Sequence, residues 1–180
     1  MDTNTSSRAA HGRYTVHGVP RGATSLTPFI ALTDAAGALG FYTQVFGAAV
    51  LERTDLPGPD GAVVLVHATL DFGHGRLQLG EVNPAYQLVG APGGGGDCYS
   101  LGLYVPDVDA TVARAAAAGA VVREPVAQFV SGDRFGSIRD PYGVRWSVMT
   151  RVEDLSDEES ARRVSEWAAS MAQGQDTAAE

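Results

Sequence analysis

Apolar and polar residues alternate, then recur at three- and four-residue steps, then alternate again, and the chain does this twice. Thr27-Pro-Phe-Ile-Ala-Leu32 alternates and reads as a strand. Behind it Leu39, Phe41, Tyr42, Val45 and Phe46 mark the apolar side of a helix, with Asp34 placed to cap its start and Gly47 suited to the left-handed position that ends it. Ala49 to Arg53 and Ala62 to Leu70 predict two strands around a Pro57-Gly-Pro-Asp-Gly61 turn, and Asp71-Phe-Gly-His-Gly75 turns the chain into a fourth, Arg76 to Gly80. The plan then repeats. Tyr99 to Val105 reads as a strand, Asp107 or Asp109 caps an alanine-rich helix that Gly119 ends, Val121 to Glu124 is a strand, and Gly132 to Val148 is a hairpin around Asp140-Pro-Tyr-Gly143. Asp71 to Leu79 and Asp140 to Val148 keep turn, arginine and strand in step at an offset of 69 residues, and the helices match at about 72. The economical fold is α+β, two copies of one β-α-β-β-β unit.

Residues 1–25 form an N-terminal tail, its start polar and unpatterned, with a short edge strand at Tyr14-Thr-Val-His17. Residues 26–81 are the first module, 82–97 a Gly/Pro-rich linker or flap, 98–151 the second module, and 152–180 a C-terminal helix and tail. The glycine run 93–96 is no phosphate loop, because no Gly-Lys-Ser/Thr follows and no helix opens after it. Ser156-Asp-Glu-Glu159 is a capping box, and Ala161, Val164, Trp167 and Met171 form a stripe suited to packing on the body or on a second subunit.

Charge narrows the partners. A net charge of −8, with no lysine, argues against nucleic acid and anionic membrane, since both need clustered cations, and it favours a cationic drug over a phosphorylated one. No apolar run approaches the roughly 20 residues of a spanning helix, and Met1-Asp-Thr-Asn-Thr-Ser-Ser7 lacks the features of a signal peptide, so a cytoplasmic protein is expected. The single Cys98 forms no internal disulfide and is expected to be a buried structural residue at a strand start.

Strand alternation sorts the side chains. Val64, Val66, Ala68, Leu70, Leu77 and Leu79 should pack under the first helix, leaving Leu65, His67, Thr69, Arg76, Gln78 and Gly80 on a mixed face. In the second module Leu101, Leu103, Trp146 and Val148 are apolar, and Ser100, Gly102, Tyr104, Arg145, Ser147 and Met149 lie opposite; the 69-residue offset adds Arg134 and Ile138 to the mixed set. Two half-open sheets of this kind predict a cup for a small molecule.

The paired modules, the Asp34 to Phe46-Gly47-Ala48 helix and Asp140-Pro-Tyr-Gly143 before the last strand resemble the vicinal oxygen chelate superfamily of glyoxalases, bleomycin-resistance proteins and extradiol dioxygenases. Thr27-Pro-Phe, His67-Ala, Gly132-Asp-Arg-Phe-Gly and the Arg151-Val-Glu-Asp-Leu-Ser-Asp-Glu-Glu tail resemble its PhnB-like branch. The resemblance spans residues 27 to about 163 and implies tandem βαβββ modules forming a cup-shaped, half-open barrel, usually in a homodimer. The cup could form within one chain or across two.

Metal-dependent members hold an ion at positions that fall here on Thr27, Gln78, Ser100 and Ser147, of which only Gln78 is a customary ligand. Neighbouring Phe29, Tyr99 and Trp146 cannot ligate, and Glu81, the nearest carboxylate, alternates onto the other face. No metal and no cofactor are expected. His67 has the titration range of a general acid or base, or is a hydrogen-bonded wall residue. Arg134 could fork onto a carboxylate or phosphate, or pair with Asp133 or Asp140; Asp140 itself reads as turn chemistry. Phe29, Tyr104, Phe129 and Tyr86 offer surface to a planar ligand. His74, in a tight turn, receives no role. The first reading is a metal-independent protein that sequesters a small aromatic or anionic molecule, with Phe29, His67, Gln78, Ser100, Tyr104, Phe129, Arg134 and Ser147 as its site. The competing reading is a lyase, isomerase or oxygenase in which His67 moves a proton and Arg134 steadies a developing negative charge; a partner-binding protein using the C-terminal helix ranks last.

Overall fold

Asp34 and Gly47 bound the first helix as their chemistry requires. The Asp34 carboxylate accepts the Gly37 N–H at 2.8 Å, and Gly47 takes the left-handed conformation, φ 73°, that a side chain would disfavour. The structure, a computed structural model, describes residues 9–58, 61–91 and 94–176. After a small hairpin of β1 (Thr15–Val16) and β2 (Val19–Pro20), the first module consists of β3 (Phe29–Leu32), α1 (Ala35–Phe46), β4 (Ala49–Pro57), β5 (Val63–Asp71) and β6 (Arg76–Glu81). Its sheet runs β3-β6-β5-β4, with β3 parallel to β6 and the other pairs antiparallel. A 3₁₀ turn at Pro84–Tyr86 begins the linker. The second module, β7 (Leu101–Tyr104), α2 (Val108–Ala117), β8 (Val121–Gln128), β9 (Asp133–Arg139) and β10 (Arg145–Arg151), has the same order, β7-β10-β9-β8, and α3 (Asp157–Asp176) follows. The architecture is α+β, with two open four-stranded sheets that do not close into a barrel.

The duplication extends to a cap that the sequence pattern did not reveal. The Glu81 carboxylate at the end of β6 accepts the Ala35 N–H of α1 at 2.8 Å, and 69 residues later Thr150 of β10 accepts the Val108 N–H of α2 at 2.9 Å. In each module the last strand thus satisfies an orphan donor of that module's helix.

Two irregularities change which face a side chain takes. In β5, Thr54 pairs with His67 but Asp55 pairs with Leu65, so Val66 is an extra, bulged residue. Alternation restarts there: Leu65 joins Ala68 and Leu70 in the core, while Val64 and Val66, expected beneath the helix, are half-buried. In the second hairpin the turn is one residue longer than in the first, since Leu70 pairs with Leu77 whereas Ile138 pairs with Trp146. The 69-residue offset therefore holds on β10 and slips by one on β9. Ile138 is fully buried in the core, and Arg134, paired with Thr150, lies on the helix side of its sheet.

The modules join through their helix-bearing sides. Tyr42 of α1 donates its hydroxyl to Asp140 at 2.8 Å, Arg114 of α2 donates to the Val45 carbonyl at 3.2 Å, and the Tyr42 and Phe46 rings meet Trp146 of β10 at 5.1 and 4.7 Å. Asp140 is more than a turn residue: 4% exposed, it also accepts the Trp146 indole N–H at 3.0 Å and the backbone N–H groups of Tyr142 and Val144 at 2.9 Å. Because both sheets turn their helix sides to this shared interior, their mixed faces both turn outward. No hydrogen bond, ion pair or ring contact joins those faces among the described residues.

Candidate functional site

Strand register assembles the first mixed face. Phe29, Gln78, Thr69 and Glu52 stand in a row across β3, β6, β5 and β4, with His67 one step along β5. An extra residue in β4, Leu51, between the Val50–Leu70 and Glu52–Thr69 pairs, turns Glu52 onto the face of His67, and the imidazole stands between two partners. Its Nδ1 lies 2.9 Å from the Glu52 carboxylate, and its ring stacks on Phe29 at 6.1 Å with 17° between the planes. Nε2 has no partner among the described residues. Gly80 leaves room for the Phe29 ring of this stack and for the bulged backbone: a Cβ there would stand 2.3 Å from the Val66 carbonyl oxygen and 3.2 Å from the Phe29 ring.

The second mixed face is polar. Gly102, Ser147, Ser137 and Glu124 form the equivalent row across β7, β10, β9 and β8. Ser100 and Ser147 share a hydrogen bond of 2.8 Å; Ser137 donates to Glu124, and Arg145 donates to the same carboxylate at 2.7 Å. The Ser137 hydroxyl first, and Arg145 second, hold the Glu124 carboxyl below its ordinary range. Tyr104, 56% exposed, stands beside Met149 and donates to Asp133 at 3.2 Å.

Other expected residues stand elsewhere. Arg134 forks onto Asp109 in the first turn of α2, at 2.6 and 2.7 Å, so its partner is neither Asp133 nor Asp140 and it does not face the cup side. Phe129 packs edge-to-face on Trp167 of α3 at 5.1 Å, and Tyr86 is exposed on the linker's 3₁₀ turn. Cys98, expected to be buried, is exposed, because β7 starts three residues later, at Leu101. Thr27 lies two residues ahead of β3 and hydrogen-bonds Thr24. Strand alternation alone does not reveal Glu52 as a partner of His67, since the extra residue Leu51 in β4 turns it onto that face.

The donor set does not fit a divalent metal. Gln78 and Ser147 occupy equivalent places on β6 and β10, but Thr27, Ser100 and Ser147 are neutral hydroxyls, and among the described residues no group of three or more His, Cys, Asp or Glu is placed to hold an ion. A cavity of about 450 Å³ opens at the free edge of β7, lined by Pro28, Phe72, His74, Arg76, Tyr104 and Trp146 among others. It places His74 and Arg76 beside Tyr104, a grouping invisible in the linear order.

A family model described as Glyoxalase/Bleomycin resistance protein/Dioxygenase superfamily matches residues 25–148. The chain is 36% identical over 140 residues to the uncharacterized protein Mb0911c of Mycobacterium bovis, covering 75% of this chain and 88% of that one. Among solved structures, TioX from Micromonospora sp. ML1 is 28% identical with a TM-score of 0.56, covering 72% of this chain and 99% of TioX. A PhnB protein from Bacillus cereus superposes with a TM-score of 0.54 at 21% identity, covering 71% and 99% of the two chains, and so shares the fold.

Proposed function

The chain belongs to the glyoxalase/bleomycin resistance protein/dioxygenase superfamily, and we propose that it binds a small organic molecule without a metal, as a sequestering protein, in a cup that two copies of the chain form together. The observation that carries this reading is the outward turn of both mixed faces. Each presents half a cup: Phe29, His67 and Gln78 on the first sheet, Ser100, Tyr104 and Ser147 on the second. A homodimer that sets the first sheet of one copy against the second sheet of the other completes a concave site of the kind small molecules use. Phe29 and Tyr104, both exposed, supply stacking area for a planar body, and the hydroxyls and amide fix its polar groups. The four metal positions carry one amide and three hydroxyls, which supports the metal-independent form.

A panel of planar aromatic and anionic compounds, read by thermal shift and calorimetry, tests this. Binding by the wild-type chain that weakens in Phe29→Ala and Tyr104→Ala supports the site; binding that neither substitution alters places the ligand elsewhere.

The Glu52–His67 contact favours one second reading, an acid–base enzyme. A carboxylate on Nδ1 orients the ring and leaves Nε2 to exchange a proton with substrate. In that case His67→Ala lowers turnover about a hundredfold or more, whereas in a binder it changes affinity alone. Full turnover by the variant would end the catalytic role.

A further inference from the structure

At the β9–β10 end of the second mixed face stand three arginines on three neighbouring strands. Arg139 pairs with Arg145 across β9 and β10, and Arg123 is the extra residue of a bulge in β8. Their charges converge on one side chain of the linker, Asp97, whose carboxylate lies 3.4 Å from Arg139, 3.5 Å from Arg145 and 3.9 Å from Arg123. The fit is poor. Asp97 is 8% exposed at its side chain, yet its Oδ1 accepts no hydrogen bond, and Arg139 and Arg123 donate instead to the Gly94 and Gly95 carbonyls at 3.0 and 2.9 Å. Guanidinium forks meet oxyanions at shorter range and in pairs, as Arg134 and Asp109 do in this same chain.

Charge points the same way. Three guanidinium groups face two carboxylates, Asp97 and Glu124, which leaves one positive charge over; with Asp97 withdrawn the excess is two. A chain of net charge −8 repels anions at long range, but within a Debye length the local cluster decides.

We infer that Arg123, Arg139 and Arg145 form a binding site for a dianionic oxyanion group, which Asp97 occupies as an internal stand-in until the ligand displaces it. The site deepens the small-molecule reading and rests on it for the body of the ligand, which lies along Ser147 with its anionic end on the arginines. A glycine-rich segment suits the exchange, because Gly94 to Gly96 carry no side chains that must be repacked when Asp97 leaves.

Inorganic phosphate tests the site without any organic ligand. At matched ionic strength, phosphate and sulfate should raise the melting temperature of the full chain above its value in chloride, and acetate should not. Asp97→Asn should bind phosphate at least about tenfold more tightly in calorimetry, as the internal competitor loses its charge, whereas Arg139→Gln should abolish the phosphate response. Arg134→Gln, on the opposite face, should keep it. Identical responses from the wild-type chain and Arg139→Gln would reduce the effect to general salt and overturn the inference. If Asp97→Asn fails to fold, the comparison of wild type with Arg139→Gln decides alone. Phosphate binding without uptake of any organic compound would sink the small-molecule reading and spare the anion site; organic binding untouched by Arg139→Gln would do the reverse.

Discussion

Asp140 gathers donors from both modules: the Tyr42 hydroxyl of α1, the indole N–H of Trp146 and two backbone N–H groups of its own turn. A buried carboxylate is tolerated only when so satisfied, and its removal leaves those donors unpaired. Asp140→Ala should therefore cost about 3 kcal/mol or more, and Tyr42→Phe about 1 kcal/mol, measured by urea unfolding. Burial first, and the Asp140 charge second, raise the Tyr42 phenol well above its ordinary value of 10.0. The unfolded chain then releases this proton before the folded one does. The stabilisation is complete below about pH 10 and is lost as the pH climbs toward the folded value, so Tyr42→Phe should flatten the alkaline decline in stability that the wild-type chain shows.

Among the elements, β4 and β5 shape the first face through two extra residues, Leu51 and Val66. Gly80 leaves room for the bulged carbonyl, and a methyl group there would collide with backbone at 2.3 Å. Gly80→Ala should destabilise the chain by about 2 kcal/mol and, by pressing on the Phe29 ring, disturb its stack on His67; a change in the imidazole NMR signals would report this, and unaltered signals would show that Gly80 does not position the rings. Helix caps, the succession of strands and helices and the duplicated plan were legible in the sequence because each rests on local pattern: Asp34, Gly47 and Asp107 act within a turn of where they stand. What stayed hidden depends on counting across gaps. One extra residue at Val66 sends Leu65 into the core, and one extra in the Asp140 turn carries Arg134 and Ile138 to the other side of β9. The Glu52–His67 contact and the Arg123–Arg139–Arg145 cluster are likewise products of register, with no signature along the chain.

At the scale of the whole molecule, the two modules bury their helix sides against each other and leave both mixed faces outside. On the proposed reading each copy contributes two half-cups, and the function depends on a second copy to oppose them. The central claim is tested most directly by sedimentation velocity on the full chain at micromolar concentration. A single species at twice the 18.8 kDa chain mass is the predicted result, with Phe29→Asp and Tyr104→Asp, which put charge on the opposed faces, shifting it toward the monomer. A monomer throughout that range, with ligand binding intact, would contradict the account.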